Sequence, residues 1–202
     1  MKKHTEFIFN TLMLLCITLV VALMPTEKEG AIYEDTVRLH ILANSDGESD
    51  QTLKLEIRDR ILEKYSVELR SCATKEAAVE KLSALSEQIE CDAAAWISEL
   101  GEEYGCEVEL GREWYDTREY EDFTLPAGYY MSLRVMLGEA EGKNWWCVMY
   151  PPLCLDVATT EEPRDDAVLG YTEEERELIS DKKYNVKFKI LELLSESLAD
   201  FS

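Results

Sequence analysis

A chain of 202 residues carrying 42 acidic against 21 basic side chains, a formal net charge of −21, repels phosphate backbones and anionic headgroups, which argues against nucleic acid as a partner. The length holds a leader plus one ordinary domain that needs no disulfide to fold, and a hydrophobic fraction of 46% with four tryptophans excludes a disordered chain. A protein partner is expected to offer a basic or neutral face.

Lys2 and Lys3 precede an apolar run from Phe7 to Met24, interrupted only by Asn10, Thr11 and Thr18; Glu27, Glu29, Glu34 and Asp35 follow it. Positive before and acidic after keeps the N-terminus inside and sends the rest across the membrane. The run lies between a signal-peptide core and a spanning helix of about 20 residues. Residues 1–24 are therefore expected to be a signal peptide or an N-terminal membrane anchor, a transmembrane helix holding the chain to the membrane if uncleaved. Residues 25–32 read as a linker and 33–202 as the exported domain.

Val37, Leu39, Ile41 and Ala43 alternate with Arg38, His40, Leu42 and Asn44, a strand pattern. Asn44-Ser45-Asp46-Gly47 ends it, and Ser49 or Asp50 is placed to cap a helix with the face Leu53, Ile57, Ile61 and Tyr65. Thr74 caps the next helix, whose stripe is Ala78, Leu82, Leu85, Ile89, Ala93, Trp96 and Leu100, ended by Gly101 or Gly105. The period then becomes two: Cys106 to Leu110, a weaker strand over Tyr120 to Leu125, then Tyr129 to Leu137. Gly138 to Gly142 is a loop of hairpin length, and Asn144 to Tyr150 reads as the returning strand. Residues 159–170 form an acidic loop, Thr172 and Glu175 a capping box, and Val186 to Phe201 the face of a last helix. The fold expected is α+β: an N-terminal strand, two helices, an antiparallel hairpin sheet, and a C-terminal helix packed on one face.

Conventional catalytic residues are scarce. His40 is the only histidine beyond the leader, so a Ser/His/Asp or Cys/His site has to be built on it. It points with Arg38 and Asn44 away from the Val37 face, where a functional and a solvated histidine read alike. No C-x-x-C, H-x-x-x-H or glycine-rich phosphate loop occurs, so neither metal nor cofactor is expected. Cys147 and Cys154 bracket Val-Met-Tyr-Pro-Pro-Leu, where two prolines can reverse the chain; a disulfide there is geometrically reasonable, and two small buried thiols are the alternative. Trp145 and Trp146 point to opposite faces of their strand. In a segment braced by Pro151 and Pro152 they are candidate binding anchors, or else core covered by the last helix.

Three blocks, Val37-Arg-Leu-His-Ile-Leu-Ala-Asn-Ser-Asp46, Leu53-Lys-Leu-Glu-Ile-Arg-Asp59 and Asn144-Trp-Trp-Cys-Val-Met-Tyr-Pro-Pro-Leu-Cys154, together resemble the stage II sporulation protein R family over roughly residues 33–198. The resemblance implies a non-enzymatic signalling protein of endospore formation, exported into the space between forespore and mother cell. Its partner there is a membrane-embedded aspartic protease, which it triggers from the extracytoplasmic face to process a mother-cell sigma-factor precursor. The contact surface expected comprises Arg38, His40, Asn44 and Asp46 with Trp145, Trp146, Pro151 and Pro152. The alternatives are a carboxylate-dependent cell-wall hydrolase and an inert structural domain of the envelope.

Overall fold

The computed structural model of the protein describes residues 2–23, 27–120, 123–151 and 171–180. Helix α1 (Lys2–Leu23) exposes Phe7, Ile8, Phe9 and Leu12. The hydroxyls of Thr11 and Thr18 donate back to the carbonyls of Phe7 at 2.8 Å and Leu14 at 3.0 Å. Among the described residues no helix is long and apolar enough to cross a membrane.

Where a linker was expected, α2 (Glu27–Asp35) forms. Its Ile32 is buried. Its Tyr33 phenol donates to the Ala127 carbonyl at 3.1 Å, and the Tyr33 ring lies against Gly128, where an added Cβ would meet it at 2.6 Å.

The central sheet contains β1 (Val37–Leu42), β2 (Cys106–Tyr115), β5 (Gly128–Leu137) and β6 (Asn144–Tyr150) in the order β2-β5-β1-β6. A two-residue pair, β3 (Arg118–Glu119) with β4 (Thr124–Leu125), lies apart; it replaces the weak strand expected over Tyr120 to Leu125. Strand β1 runs parallel to β5, with Val37 opposite Met131, and antiparallel to β6, with His40 opposite Trp146. The sheet is therefore mixed, not the antiparallel hairpin sheet expected. Strands β5 and β6 do not pair; β1 lies between them, and the loop from Gly138 to Lys143 passes over its end. The amides of Glu141 and Gly142 donate to the carbonyls of Asn44 (3.2 Å) and Ala43 (2.9 Å). Neighbouring strands lie about 4.8 Å apart, so a loop of hairpin length also reaches the next strand but one.

Helices α3 (Glu48–Arg70) and α4 (Lys75–Glu99) cover one face of the sheet. Thr74 caps α4 as expected, accepting from the Ala77 amide at 3.2 Å. The stripe of α4 is as expected except at its end, where Ile97 is buried and Leu100 is 41% exposed; Gly101, at φ 91°, ends the helix. Helix α3 starts behind Gly47 with no side-chain cap, contrary to the Ser49 or Asp50 cap expected. Asp50 is engaged elsewhere, as described below.

The Thr172–Glu175 capping box opens α5 (Glu173–Ser180): the Thr172 amide donates to Glu175 Oε2 at 2.6 Å and the Glu175 amide to Thr172 Oγ1 at 3.3 Å. Tyr171, just before α5, and Thr36, just after α2, share a 2.6 Å hydroxyl contact. The expected acidic loop at 159–170 and the helical face from 186 to 201 lie outside the described residues.

Two consequences follow for stability. An added Cβ at Gly142 would come within 2.2 Å of the Ser45 carbonyl oxygen, a backbone atom with little freedom to yield. Gly142→Ala is expected to cost about 2 kcal/mol, read from the urea midpoint; an unchanged midpoint would show that the crossing loop is not held to β1. Asp35 at the end of α2 neighbours buried Glu175 on α5, and burial followed by the influence of that carboxyl raises the Asp35 pKa from 3.8 to about 6. The folded state thus holds a proton the unfolded chain gives up. The stability it contributes is full below about pH 4 and is lost as pH rises through about 6. Asp35→Asn is expected to raise the neutral-pH melting temperature and flatten its pH dependence in that window. A variant that melts with the parental profile would contradict the pairing.

Candidate functional site

The second face of the sheet was expected to meet solvent or a partner; around Arg38 and His40 it is buried. Arg38 has 0% exposure and His40 6%. The strand alternation is as read, but aromatic side chains roof this face. The Arg38 guanidinium sits 4.0 Å from the centre of the Tyr115 ring and 5.1 Å from that of Tyr130. Its Nη2 donates to the Tyr120 hydroxyl at 2.8 Å, while Nε and Nη1 have no hydrogen-bond partner among the described residues. Cation–π contact with two rings partly compensates a charge removed from water. Tyr115 and Ser132 share a 2.6 Å hydroxyl contact, and the Tyr130 hydroxyl donates to the Pro126 carbonyl at 2.6 Å.

Beside Arg38, His40 Nδ1 lies 2.8 Å from Glu113 Oε1. Burial opposes ionisation of Glu113, but the hydrogen bond to His40 and its charge outweigh it and hold the carboxyl below its usual range. The His40 ring stacks on Trp146 at 5.5 Å, and the Arg118 guanidinium lies 3.8 Å from the centre of the same indole. A carboxylate-oriented histidine is half of a general-base arrangement. Its Nε2, however, is buried and has no partner among the described residues, with an indole stacked on the ring. The arrangement is that of a structural polar layer.

Asn44 and Asp46 belong to the turn after β1, whose hydrogen bonds converge on Asp50. Asp50 Oδ2 accepts from Asn44 Nδ2 at 2.9 Å and from the Ser45 hydroxyl at 2.5 Å; Oδ1 accepts from Tyr104 at 2.8 Å. The Ser45 hydrogen bond, aided by those of Tyr104 and Asn44, lowers the Asp50 pKa against burial. Asn44 Oδ1 accepts from the Glu139 amide at 3.0 Å and Asp46 Oδ1 from the Lys143 amide at 2.8 Å. The polar turn of the first motif thus clamps the loop that crosses β1. Asp46 remains exposed.

Trp145 and Trp146 are both half-buried. Trp145 packs against the helix-covered core, with the Arg58 guanidinium 5.0 Å from its ring centre, and Trp146 belongs to the polar layer. Cys147 is buried and disulfide-bonded. Pro151 is buried, whereas Cys154 and Pro152 lie outside the described residues.

One surface feature escaped the sequence reading. Trp114 and Tyr129 are 41% and 57% exposed and meet edge to face with centroids 5.2 Å apart. They are register partners on β2 and β5, on the sheet face that carries Met131 and Leu133, beyond the reach of α4. Gly111 interrupts the alternation and hides the second half of β2, and Tyr129 reads by parity as a core residue.

The fold and its buried layer define an α+β domain on a mixed sheet, with helices on one face and an aromatic-roofed arginine and histidine on the other. A family profile described as Stage II sporulation protein R (spore_II_R) matches residues 33–160, more than half of the chain. The Stage II sporulation protein R of Bacillus subtilis (strain 168) is 32% identical over 135 residues, covering 66% of this chain and 60% of that protein's length. No solved structure matches. The chain belongs to the stage II sporulation protein R family.

Proposed function

We propose that this chain is an exported signalling protein of endospore formation, one that triggers a membrane-embedded aspartic protease from its extracytoplasmic face so that a mother-cell sigma-factor precursor is cleaved. The observation that carries the reading is the family match across β1, α3, α4, the sheet and the Trp-Trp-Cys strand. The basic start, apolar α1 and acidic sequel support export into the space between forespore and mother cell. A trigger acts by preferring the active arrangement of its partner. Within the contact surface expected from sequence, Asp46 and the exposed parts of Trp145 and Trp146 are accessible, whereas Arg38 and His40 would act by holding Trp146 in place. We further propose that Cys154 is the partner of Cys147.

The carboxylate-dependent hydrolase needs two acids flanking a substrate. Asp35, with its pKa raised by burial and by neighbouring Glu175, and Glu175 itself are candidates, but the two carboxyls interact directly. Glycoside hydrolysis uses carboxyl separations of roughly 5 Å or more so that the sugar fits between. In a sporulating host, deleting the chain is expected to abolish precursor cleavage while leaving precursor synthesis intact. Normal cleavage in the deletion strain would remove the trigger role and favour an inert envelope domain.

A further inference from the structure

Strand β2 is an edge of the sheet: its inner side pairs with β5 over its whole length, and among the described residues nothing pairs with its outer side. An unpaired edge of ten residues is a template for another strand. The direction of its backbone groups follows from one contact. The Val108 amide donates outward, to Glu90 Oε2 on α4 at 3.0 Å. In an antiparallel pair the outward-facing residues alternate, so Leu110, Arg112 and Trp114 also turn their amides and carbonyls away from β5. Glu90 closes the edge at Val108 and leaves it open from Leu110 to Trp114.

The side chains along this open stretch indicate what would fit. Trp114 and Tyr129 form an exposed aromatic platform at its end. Glu90, Glu107, Glu109 and Asp116 face or flank the edge, against Arg112 on β2 and Arg134 on β5, the latter paired with Glu109. The net potential is negative, and an aromatic face attracts cations.

We infer that the open edge of β2 from Leu110 to Trp114 accepts an extended, basic segment of a partner protein as an added strand, with Trp114 and Tyr129 receiving its side chains. Backbone hydrogen bonds supply affinity in such additions, and alternate side chains supply specificity. A second copy of this chain is disfavoured as the occupant, because it would set glutamates against glutamates. The inference goes beyond the trigger role and does not depend on it.

The test uses the full chain and a fluorescent synthetic peptide of about six alternating lysine and valine residues, with binding read by anisotropy. Arg112→Pro removes an outward amide and leaves the bonds to β5 intact. It also removes a positive charge, so simple electrostatic adhesion of the peptide would increase. The variant is expected to weaken binding at least about tenfold, whereas Arg112→Ser, which keeps the amide, retains it; each variant is first checked for parental circular dichroism. Against the unaltered protein, the peptide N-methylated at alternate residues, and its glutamate counterpart, are each expected to bind at least about tenfold more weakly. Absence of binding by the lysine peptide, or equal binding by Arg112→Pro or by the methylated peptide, would overturn the inference and leave the trigger role standing. Lost precursor signalling with intact peptide binding would do the reverse.

Discussion

Replacing Arg38 with alanine is expected to lower the unfolding free energy by about 4 kcal/mol, the largest single-residue effect in the domain. The side chain is fully buried, fills the space between Tyr115 and Tyr130, and has no carboxylate partner among the described residues, so truncation leaves a cavity beneath two aromatic rings. Arg38→Met is expected to cost under about 1.5 kcal/mol, because it keeps most of the volume and removes a buried charge whose desolvation is only partly compensated. Urea unfolding of both variants separates the contributions. Equal losses would show that the charge, through its rings and the Tyr120 hydroxyl, holds the layer together, and that volume is secondary.

Asp50→Ala is expected to cost about 3 kcal/mol. It removes the acceptor of three hydrogen bonds, from Asn44, Ser45 and Tyr104, at a residue only 8% exposed; bonds to a charged group contribute more than neutral ones. The loss propagates, because Asn44 also holds the Glu139 amide of the crossing loop. Since the Asp50 pKa is lowered in the fold, its stabilisation is present above the ordinary carboxylate pKa and lost as pH falls through the depressed value. The variant should therefore lose less stability than the parent on acidification. A parental urea midpoint for Asp50→Ala would contradict the role assigned to the turn.

Much of the fold was legible where one face of an element meets one layer. The stripe from Leu53 to Tyr65 is buried as read, as are Ala78, Leu82, Ile89 and Ala93, with Leu85 half-buried beside them, and both Thr caps are in place. Strand order was not legible. Parallel pairing of Val37 with Met131 joins residues distant in the chain, and nothing in the Gly138–Gly142 loop distinguishes a hairpin from a crossing over β1. The buried second face was missed for a related reason. Arg38, His40 and Ser132 alternate as an outward polar set, and only their aromatic roof, drawn from Tyr115, Tyr120, Tyr130 and Trp146, reverses that reading. The tyrosine-rich composition was the available signal. The site residues therefore divide: the polar members of the first block hold the fold together, while the exposed aromatic pair at Trp114 and Tyr129 lies where Gly111 breaks the pattern.

The most direct test of the trigger role is reconstitution in a non-sporulating host. The exported chain is co-expressed with the candidate membrane protease and the sigma-factor precursor, and cleavage is followed by immunoblot. The account predicts cleavage only when this chain is present and exported. Precursor that stays intact with all three proteins present, or that is cleaved equally without this chain, would contradict it.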